Sequence, residues 1–549
     1  MPTAGELLVA SLAAHGIDRV FCVPGESYLG LLDALHGRDI DTVVCRHEAG
    51  AGFMALADAR LTGRPGVVCV SRGPGASNAA IAVHTAQQDA VPLLLLVGQV
   101  AVRDLRRDAF QEIDYARMFG GQAKWVAEVT DPDRMAETVL RALQVATTGL
   151  PGPVVIALPE DVLTASTAAD TVRPQAHVAA APPAGDVSRL RDWLTRAERP
   201  LLLAGSAIER PGGREALRAF AEAWELPLVV SFRRQDLFPN AHRLYAGDMG
   251  LANPDAQMAL LREADLLVVL GARLSDVTTQ GYAWPRLVRP EMRLVHVHPD
   301  PAVIGTHFSA DLALACDPQA LVAAVGKPDE PFARGAWVER LKAQQRAIAA
   351  LRAGAVDDGI PFESLVDAVG RSLAADAIVT VDAGTFGAPV YRVVPFAPPQ
   401  RLLAPIAGAM GFGVPAAVAA ALREPGRPVI CFVGDGGFLM TGNELSRRQG
   451  ARPADQADPL RERHLCVDPH PAGARLSGPP RRRRLHQSGL RADRRGLRLR
   501  GDTRLDEPAD LAQLPEILAR PGPQFVIVRT SLQAVLPRAP GERSDTRDA

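Results

Sequence analysis

Val429-Ile430-Cys431-Phe432-Val433-Gly434-Asp435-Gly436-Gly437-Phe438 is the stretch on which the fold turns. Its five leading apolar residues, closed by glycine, read as a strand buried on both faces, the habit of parallel sheets. Glycines at the carboxyl end of such a strand let backbone N–H groups approach a phosphate, and an Asp there can hold Mg²⁺ beside phosphate oxygens. Alone, Gly434-Asp435-Gly436 reads equally well as a tight turn before a helix. The surroundings decide.

The same rhythm recurs upstream. Val20–Val23, Thr42–Cys45, Gly66–Val70 and Leu93–Val97 are short apolar runs punctuated by Gly and Pro, with room for helices between them. Leu201–Ala204, Leu228–Val230 and Leu266–Leu270 repeat the pattern, and Ile378–Val381 precedes the quoted strand. Residues 165–187, with Ala180-Ala181-Pro182-Pro183-Ala184-Gly185, read as a linker, and another surrounds Lys327-Pro328-Asp329-Glu330-Pro331. The sequence therefore predicts an α/β protein of three domains, 1–170, 188–325 and 355–540, each a mainly parallel sheet flanked by helices.

Composition narrows the function classes. Among 549 residues, 61 Lys plus Arg face 62 Asp plus Glu, for a net charge of −1. Such a balance gives no reason to expect nucleic acid or an anionic membrane as partner. The longest apolar stretches, such as Val91–Val97, fall well short of the ~20 residues of a bilayer span. Met1-Pro2-Thr3-Ala4-Gly5-Glu6 lacks the basic flank and apolar core of a signal peptide. Six scattered Cys form no CxxC pair and read as reduced thiols, so a cytoplasmic protein is expected.

Three further motifs follow strand-like runs. Arg46-His47-Glu48 precedes the small-residue helix Ala49–Met54. Ser71-Arg72-Gly73-Pro74-Gly75-Ala76-Ser77-Asn78 comes next, and Gly408-Ala409-Met410-Gly411-Phe412-Gly413 lies far downstream. With Pro24-Gly25-Glu26, Phe110-Gln111-Glu112, Lys124, Gly271-Ala272-Arg273 and the Gly434 turn, this ordered set resembles the thiamine-diphosphate enzymes of the acetolactate synthase (acetohydroxyacid synthase) large-subunit family. The resemblance runs through nearly the whole chain.

That resemblance implies the thiamine-diphosphate-binding fold: a pyrimidine-binding domain, a central domain and a diphosphate-binding domain. Family active sites lie between the first domain of one subunit and the last of another, which implies a homodimer or homotetramer. The implied reaction is decarboxylation of pyruvate or a related 2-keto acid and carboligation to a second one, as in branched-chain amino acid biosynthesis. Glu48 matches the catalytic carboxylate that hydrogen-bonds the aminopyrimidine ring, and Asp435 the Mg²⁺ ligand. Pro24, Gly73, Pro74, Asn78, Gly384, Thr385, Phe386, Gly408, Gly434, Gly436 and Gly437 match cofactor-binding positions. Met410 matches the apolar residue that props the bent cofactor. Gly25, Glu26, Phe110, Gln111 and Lys124 match positions on the substrate side.

FAD, which several acetolactate synthases bind centrally, is not favoured: Ala204-Gly205-Ser206-Ala207 has one Gly, and Val295-His296-Val297-His298 replaces the acidic position. His84, His296 and His298 have no converging acidic or Cys partners and read as satisfied or partly exposed histidines. Glu48 argues against a glyoxylate carboligase. The alternatives are a decarboxylase or oxidase of the same superfamily acting on an aryl or longer keto acid, and an inactive polypeptide with a disrupted cofactor site.

The last alternative arises from residues 447–504. This segment holds sixteen Arg against six acidic residues and no Asn, Ile, Phe, Tyr, Trp or Met, so the rest of the chain carries −11. The expectation is that it supplies no buried strand. The family places an Asn, a second Mg²⁺ ligand, roughly 26 residues beyond the Gly-Asp-Gly turn. Here that place reads Leu460-Arg461-Glu462-Arg463-His464-Leu465, and no Asn follows Asn443. An RNA-binding reading of Arg481–Arg484 is disfavoured because no aromatic stacking residues accompany it. Out-of-frame GC-rich codons yield this composition, so our hypothesis is a pair of compensating frame shifts. Sequencing the DNA between the codons for Leu445 and Leu505 tests it. An Asn-bearing, strand-forming alternative frame is expected, and an intact frame with no such alternative would refute it.

Overall fold

The computed structural model describes residues 1–175, 178–351, 356–446, 464–468, 500–520 and 522–531. Every strand pairing within its three six-stranded sheets is parallel. The first sheet contains β1 (Arg19–Cys22), β2 (Asp41–Val44), β3 (Gly66–Val70), β4 (Leu93–Gln99), β5 (Trp125–Glu128) and β6 (Pro153–Pro159), in the order β2-β1-β3-β4-β6-β5. The central sheet contains β7 (Pro200–Ala204), β8 (Leu228–Ser231), β9 (Tyr245–Met249), β10 (Leu266–Leu270), β11 (Arg293–Val297) and β12 (Leu312–Leu314), ordered β12-β11-β10-β7-β8-β9. The third contains β13 (Ile378–Val381), β14 (Arg401–Leu403), β15 (Val429–Phe432), β16 (His464–Asp468), β17 (Arg500–Leu505) and β18 (Pro523–Val528), ordered β14-β13-β15-β16-β18-β17.

The first and third sheets thus share one strand order. In each, the order reverses beside the first strand, between β1 and β3 and between β13 and β15. Connections from neighbouring strands diverge to opposite faces there and leave a crevice at the carboxyl ends, the usual ligand position of open parallel sheets. Both motif clusters read from the sequence fall on these two crevices.

Two expectations are corrected. Residues 447–504 do supply strands: β16 lies between β15 and β18, and most of β17 falls in the same segment. A parallel ladder is made by backbone groups, and the five residues from His464 to Asp468 contain no proline to interrupt it. Leu460–Arg463 and Arg481–Arg484 lie outside the described residues. The stretch 165–187 is shorter as a linker than expected, because a helix spans Ala184–Arg196 with Leu190 and Leu194 buried.

Helices join the sheets. The helix Glu48–Thr62, here α1, and the helix Gly73–Asp89, α2, touch where Gly52 faces Ala82; a Cβ on Gly52 would lie 2.2 Å from that of Ala82. The helix Gly335–Ala349, α3, crosses from the central to the third sheet. Of the third sheet's own helices, Gly387–Val393 is α4, Gly413–Arg423 is α5 and Asp435–Thr441 is α6. α1 packs on α5 in one continuous apolar core, with Phe53 edge-on to Phe412 at 5.6 Å. Asp58 on α1 accepts from Arg423 on α5 at 2.7 Å.

A buried charge network ties all three sheets together. Asp236, fully buried, accepts from Arg214 at 2.8 Å, Arg401 at 3.3 Å and the backbone N–H of Leu402 at 3.0 Å. Glu209 pairs with Arg214 at 2.6 Å and Arg401 at 2.8 Å. Arg60 from α1 donates to the carbonyls of Leu402 and Ala404, and Arg401 returns a bond to the Arg60 carbonyl. Burial alone would raise the Asp236 carboxyl, but Arg214 and Arg401 hold it well below the usual carboxylate range.

A carboxyl depressed on folding contributes stability above its unfolded value and loses it as pH falls through the folded value. Asp236→Asn is therefore expected to cost about 3 kcal/mol at pH 7, because it leaves buried arginines short of a counter-charge. The gap from wild type should persist down to about pH 5 and narrow below pH 4. Urea titrations of both proteins from pH 7 to pH 3.5 check this, and a gap independent of pH would refute the assignment.

Candidate active site

At the crevice of the first sheet, the backbone turns from β2 into α1. His47 takes an extended conformation and its Nδ1 accepts from the N–H of Ala49 at 3.1 Å, capping the helix. Glu48 is the first helical residue and is largely buried. The amide nitrogen of Asn78 donates to Glu48 Oε2 at 2.9 Å. On the other side of the carboxylate, a Cβ on Gly75 would lie 3.4 Å from Oε1.

The neighbouring turns are built around close approaches. A Cβ on Gly25 would come within 2.8 Å of the Ser71 side chain, so glycine lets the turns after β1 and β3 meet. Pro24 and Glu26 stand exposed beside it. The carbonyl of Gln111 accepts from the N–H of Gly73 at 3.0 Å, and a Cβ on Gly73 would lie 2.8 Å from that oxygen. Gln111 itself has φ +65°, and the preceding Phe110 is 80% exposed. Glu48, Gly73, Pro74, Asn78, Gly25, Glu26 and Gln111 are thus gathered around one crevice.

Lys124 is the exception. It precedes β5, at the amino end of the sheet, and its Nζ donates to the carbonyls of Thr148 at 2.6 Å and Leu150 at 2.8 Å. Glu48 lies at the carboxyl ends, about 15 Å away along strands that rise ~3.3 Å per residue. Lys124 closes a loop there and does not join the residues gathered around Glu48.

In the third sheet, Asp382 organises the second crevice. Its carboxylate accepts from the N–H groups of Ala383 at 2.6 Å, Gly411 at 2.9 Å and Gly413 at 3.1 Å. A Cβ on Gly437 would lie 2.8 Å from Oδ2. One side chain therefore fixes the loop Gly384–Phe386, the Met410 turn and the Gly434–Gly437 turn against each other. Gly408 and Gly411 take φ +69° and +84°, left-handed values that admit the turn around Met410. Met410, 46% exposed, lies over Gly436, where a Cβ would approach its methyl carbon to 3.1 Å. Asp435 is half-buried at the first position of α6, while Gly384 and Thr385 are exposed.

Glu444, just past α6, links the two crevices. It accepts from the N–H groups of Arg46 at 3.1 Å and His47 at 3.0 Å, and a Cβ on Gly50 would lie 2.3 Å from its Oε1. The start of α1 therefore meets the far end of α6, roughly 15 Å along the chain axis from Asp435. Asp382 and Glu444 escaped the sequence reading. A charged residue directly after the strand Ile378–Val381 was the available signal for Asp382, whereas nothing local marks Glu444.

At the central crevice, a Cβ on Gly205 would lie 2.3 Å from Ala272 Cα, so the turns after β7 and β10 are in contact. His296 and His298 are both buried; Nε2 of His296 faces the Ala272 carbonyl at 3.0 Å, and burial lowers His298 to about 4. Among the described residues, no three His, Cys, Asp or Glu side chains converge on a metal position. No described helix is long and apolar enough to cross a membrane.

Two carboxylate-bearing crevices on duplicate sheets, one set around Glu48 and one around Asp435, define the class of the thiamine pyrophosphate enzymes. Family models agree: the N-terminal TPP binding domain matches residues 2–118, the central domain 187–325 and the C-terminal TPP binding domain 382–448. The last match ends where the Arg-rich segment begins. The acetolactate synthase isozyme 1 large subunit of Escherichia coli K12 is 33% identical over 449 residues, 81% of this chain and 79% of the relative. The acetolactate synthase large subunit of Lactococcus lactis is 31% identical over 459 residues, 82% and 79% of the two chains. A probable acetolactate synthase large subunit of Methanocaldococcus jannaschii is 31% identical over 467 residues, 80% and 77%. The chain belongs to the acetolactate synthase large-subunit family of thiamine-diphosphate-dependent enzymes.

Asp382 makes a pH prediction. Burial raises its carboxyl to about 6, against the pull of its N–H partners. A carboxyl raised on folding favours the native state most below its unfolded value, and that contribution declines as pH rises to the folded value. The stability of wild type relative to Asp382→Asn should therefore fall by about 2 kcal/mol between pH 4 and pH 6 and level off above about pH 7. Denaturation midpoints across that range check it, and parallel curves would refute it.

Proposed function

We propose that the chain catalyses decarboxylation of pyruvate and transfer of the resulting two-carbon unit to a second 2-keto acid, with Mg²⁺–thiamine diphosphate as cofactor. The observation that carries this reading is the Glu48–Asn78 pair at a glycine-lined crevice, matched by the Asp382-clamped crevice on the duplicate sheet. Nothing observed favours an aryl-substrate decarboxylase or oxidase, or an inactive polypeptide.

The residues fit the cofactor. At the first crevice, Pro24, Gly73, Pro74 and Asn78 would border the aminopyrimidine, with Gly25, Glu26, Phe110 and Gln111 toward the substrate. Asn78 occupies one Glu48 oxygen and leaves the other to hold a proton against a ring nitrogen. At the second, the N–H groups of Gly434, Gly436 and Gly437 and the Gly384-Thr385-Phe386 loop would receive the diphosphate, with Gly408 shaping the turn. Asp435 would supply the carboxylate that Mg²⁺ takes beside phosphate oxygens. Met410, exposed between the two, would prop the ring system. Thiamine diphosphate supplies an acidic ring carbon and an electron sink for decarboxylation. The chain orients the keto acid, excludes water and controls the proton at Glu48.

Glu48 and Asp435 stand at opposite ends of α6, which supports a site shared between two copies in a homodimer or homotetramer. Exposed Ile81, Met410, Leu439 and Met440 supply apolar surface for that pairing. The same reading puts the enzyme in the cytoplasm, where reduced buried thiols such as Cys69 and Cys316 persist.

Purified chain with Mg²⁺ and thiamine diphosphate is expected to convert pyruvate to acetolactate, read as acetoin after acid treatment. Glu48→Gln should lower kcat about 100-fold or more while cofactor binding by calorimetry persists. Mixing Glu48→Gln and Asp435→Ala chains, each inactive alone, should restore about a quarter of wild-type activity, since half of randomly paired dimers then hold one intact site. No recovery on mixing would refute the shared site, and no product from pyruvate would refute the reaction.

A further inference from the structure

A cavity of about 400 Å³ opens between the central and third sheets, apart from both crevices. β9 supplies Tyr245 and Asp248, α3 supplies Lys342 and Arg346, and α4 supplies Tyr391. Its size is within the range of small-molecule sites.

The wall presents a lysine ammonium and a tyrosine hydroxyl, each with bonding capacity to spare. Lys342 is 3% exposed, and its ammonium donates to the Asn240 carbonyl at 2.7 Å and Gln345 Oε1 at 2.9 Å. An ammonium carries three protons, so one remains unassigned. Tyr391 is 7% exposed, and its buried hydroxyl has no hydrogen-bond partner among the described residues. An unmade bond at a buried polar group is destabilising, and a ligand oxygen would relieve it. The ammonium can only donate and the hydroxyl can donate, so one ligand carrying acceptor oxygens would suit both.

Charge selects the kind of acceptor. Arg392 is committed to the carbonyls of Leu251 and Ala252, and Arg346 at the rim is paired with Glu339 at 3.2 Å. Asp248 is the carboxyl on the inner wall, and burial pushes it up to about 6, which lightens its negative charge near neutrality. Burial also lowers Lys342, to about 8, so an anion would favour its ammonium form. Ile348, Val393 and Pro395 complete an apolar wall suited to a short branched chain.

We propose that this cavity is a binding site for a short aliphatic carboxylate bearing a 2-oxygen, its carboxylate on Lys342 and its second oxygen on the Tyr391 hydroxyl. The occupant would sit one helical turn from the Gly384–Gly387 loop, because α4 begins at Gly387, where a Cβ would lie 3.0 Å from Tyr391 Oη. Binding itself does not depend on the reading of the two crevices.

The test is calorimetry of the full chain, loaded with Mg²⁺ and thiamine diphosphate, against 2-hydroxy-3-methylbutanoate, which lacks a keto group to decarboxylate. Saturable binding is expected in wild type. Lys342→Met and Tyr391→Phe should each weaken it about tenfold or more. Ala241→Trp, at the exposed mouth, should block it with both donors intact. Glu48→Gln should bind as wild type does. The proposal is overturned by absence of saturable heat up to about 20 mM, by unchanged affinity in both donor variants, or by loss of binding in Glu48→Gln alone.

Discussion

The three sheets are held in register by the ion cluster around Asp236 and Glu209. Arg214, Arg234 and Arg401 meet two carboxylates at its centre, and Arg60 from the first sheet joins through the carbonyls of Leu402 and Ala404. Removing so many charges from water is costly, and a packed apolar joint would serve stability as well. What charges add is geometry: the ion pairs of Arg214 and Arg401 with Asp236 and Glu209 form in one arrangement, so the third sheet cannot slide over the central one without stranding a buried charge. The two crevices depend on that fixed relation.

Given the joint, topology does the rest. The first and third sheets repeat one strand order, and in both the order reverses at the strand pair whose carboxyl ends carry the motif residues. Glu48 and Asp435 do equivalent structural work, each opening a helix after a strand. Their environments differ. Glu48 faces Asn78 and the glycine turn of α2, whereas Asp435 stands in a region where the deeper carboxyl, Asp382, spends its bonds on three backbone N–H groups. On the proposed function, one crevice would serve proton control and the other would hold anionic and cationic groups still.

The strands were legible because parallel strands buried on both faces are continuous apolar runs, and Leu93–Val97 or Val429–Val433 admit no other reading. The glycine turns were legible because backbone close approach demands the residue. β16 was not, because its pairing rests on backbone bonds that composition does not report. Lys124 was misplaced for a related reason. A lysine next to a strand reads the same whether it precedes or follows the active edge, and only the direction of β5 against β6 decides between them. Asp382 and Glu444 were missed because their partners are Gly411, Gly413, Arg46 and His47, distant in sequence and silent as backbone donors.

By itself, the sequence determined the α/β class, the three-part organisation and the ordered glycine motifs that flank Glu48 and Asp435, since each depends on local residue type and spacing. It also marked 447–504 as foreign in composition. Only the tertiary structure decided which residues share a crevice, that Lys124 stands at the wrong edge, that Asp382 binds three turns together, and that Lys342 and Tyr391 line a separate cavity. Those facts arise from strand order, strand direction and long-range packing, where residues hundreds of positions apart become neighbours and periodicity carries no information.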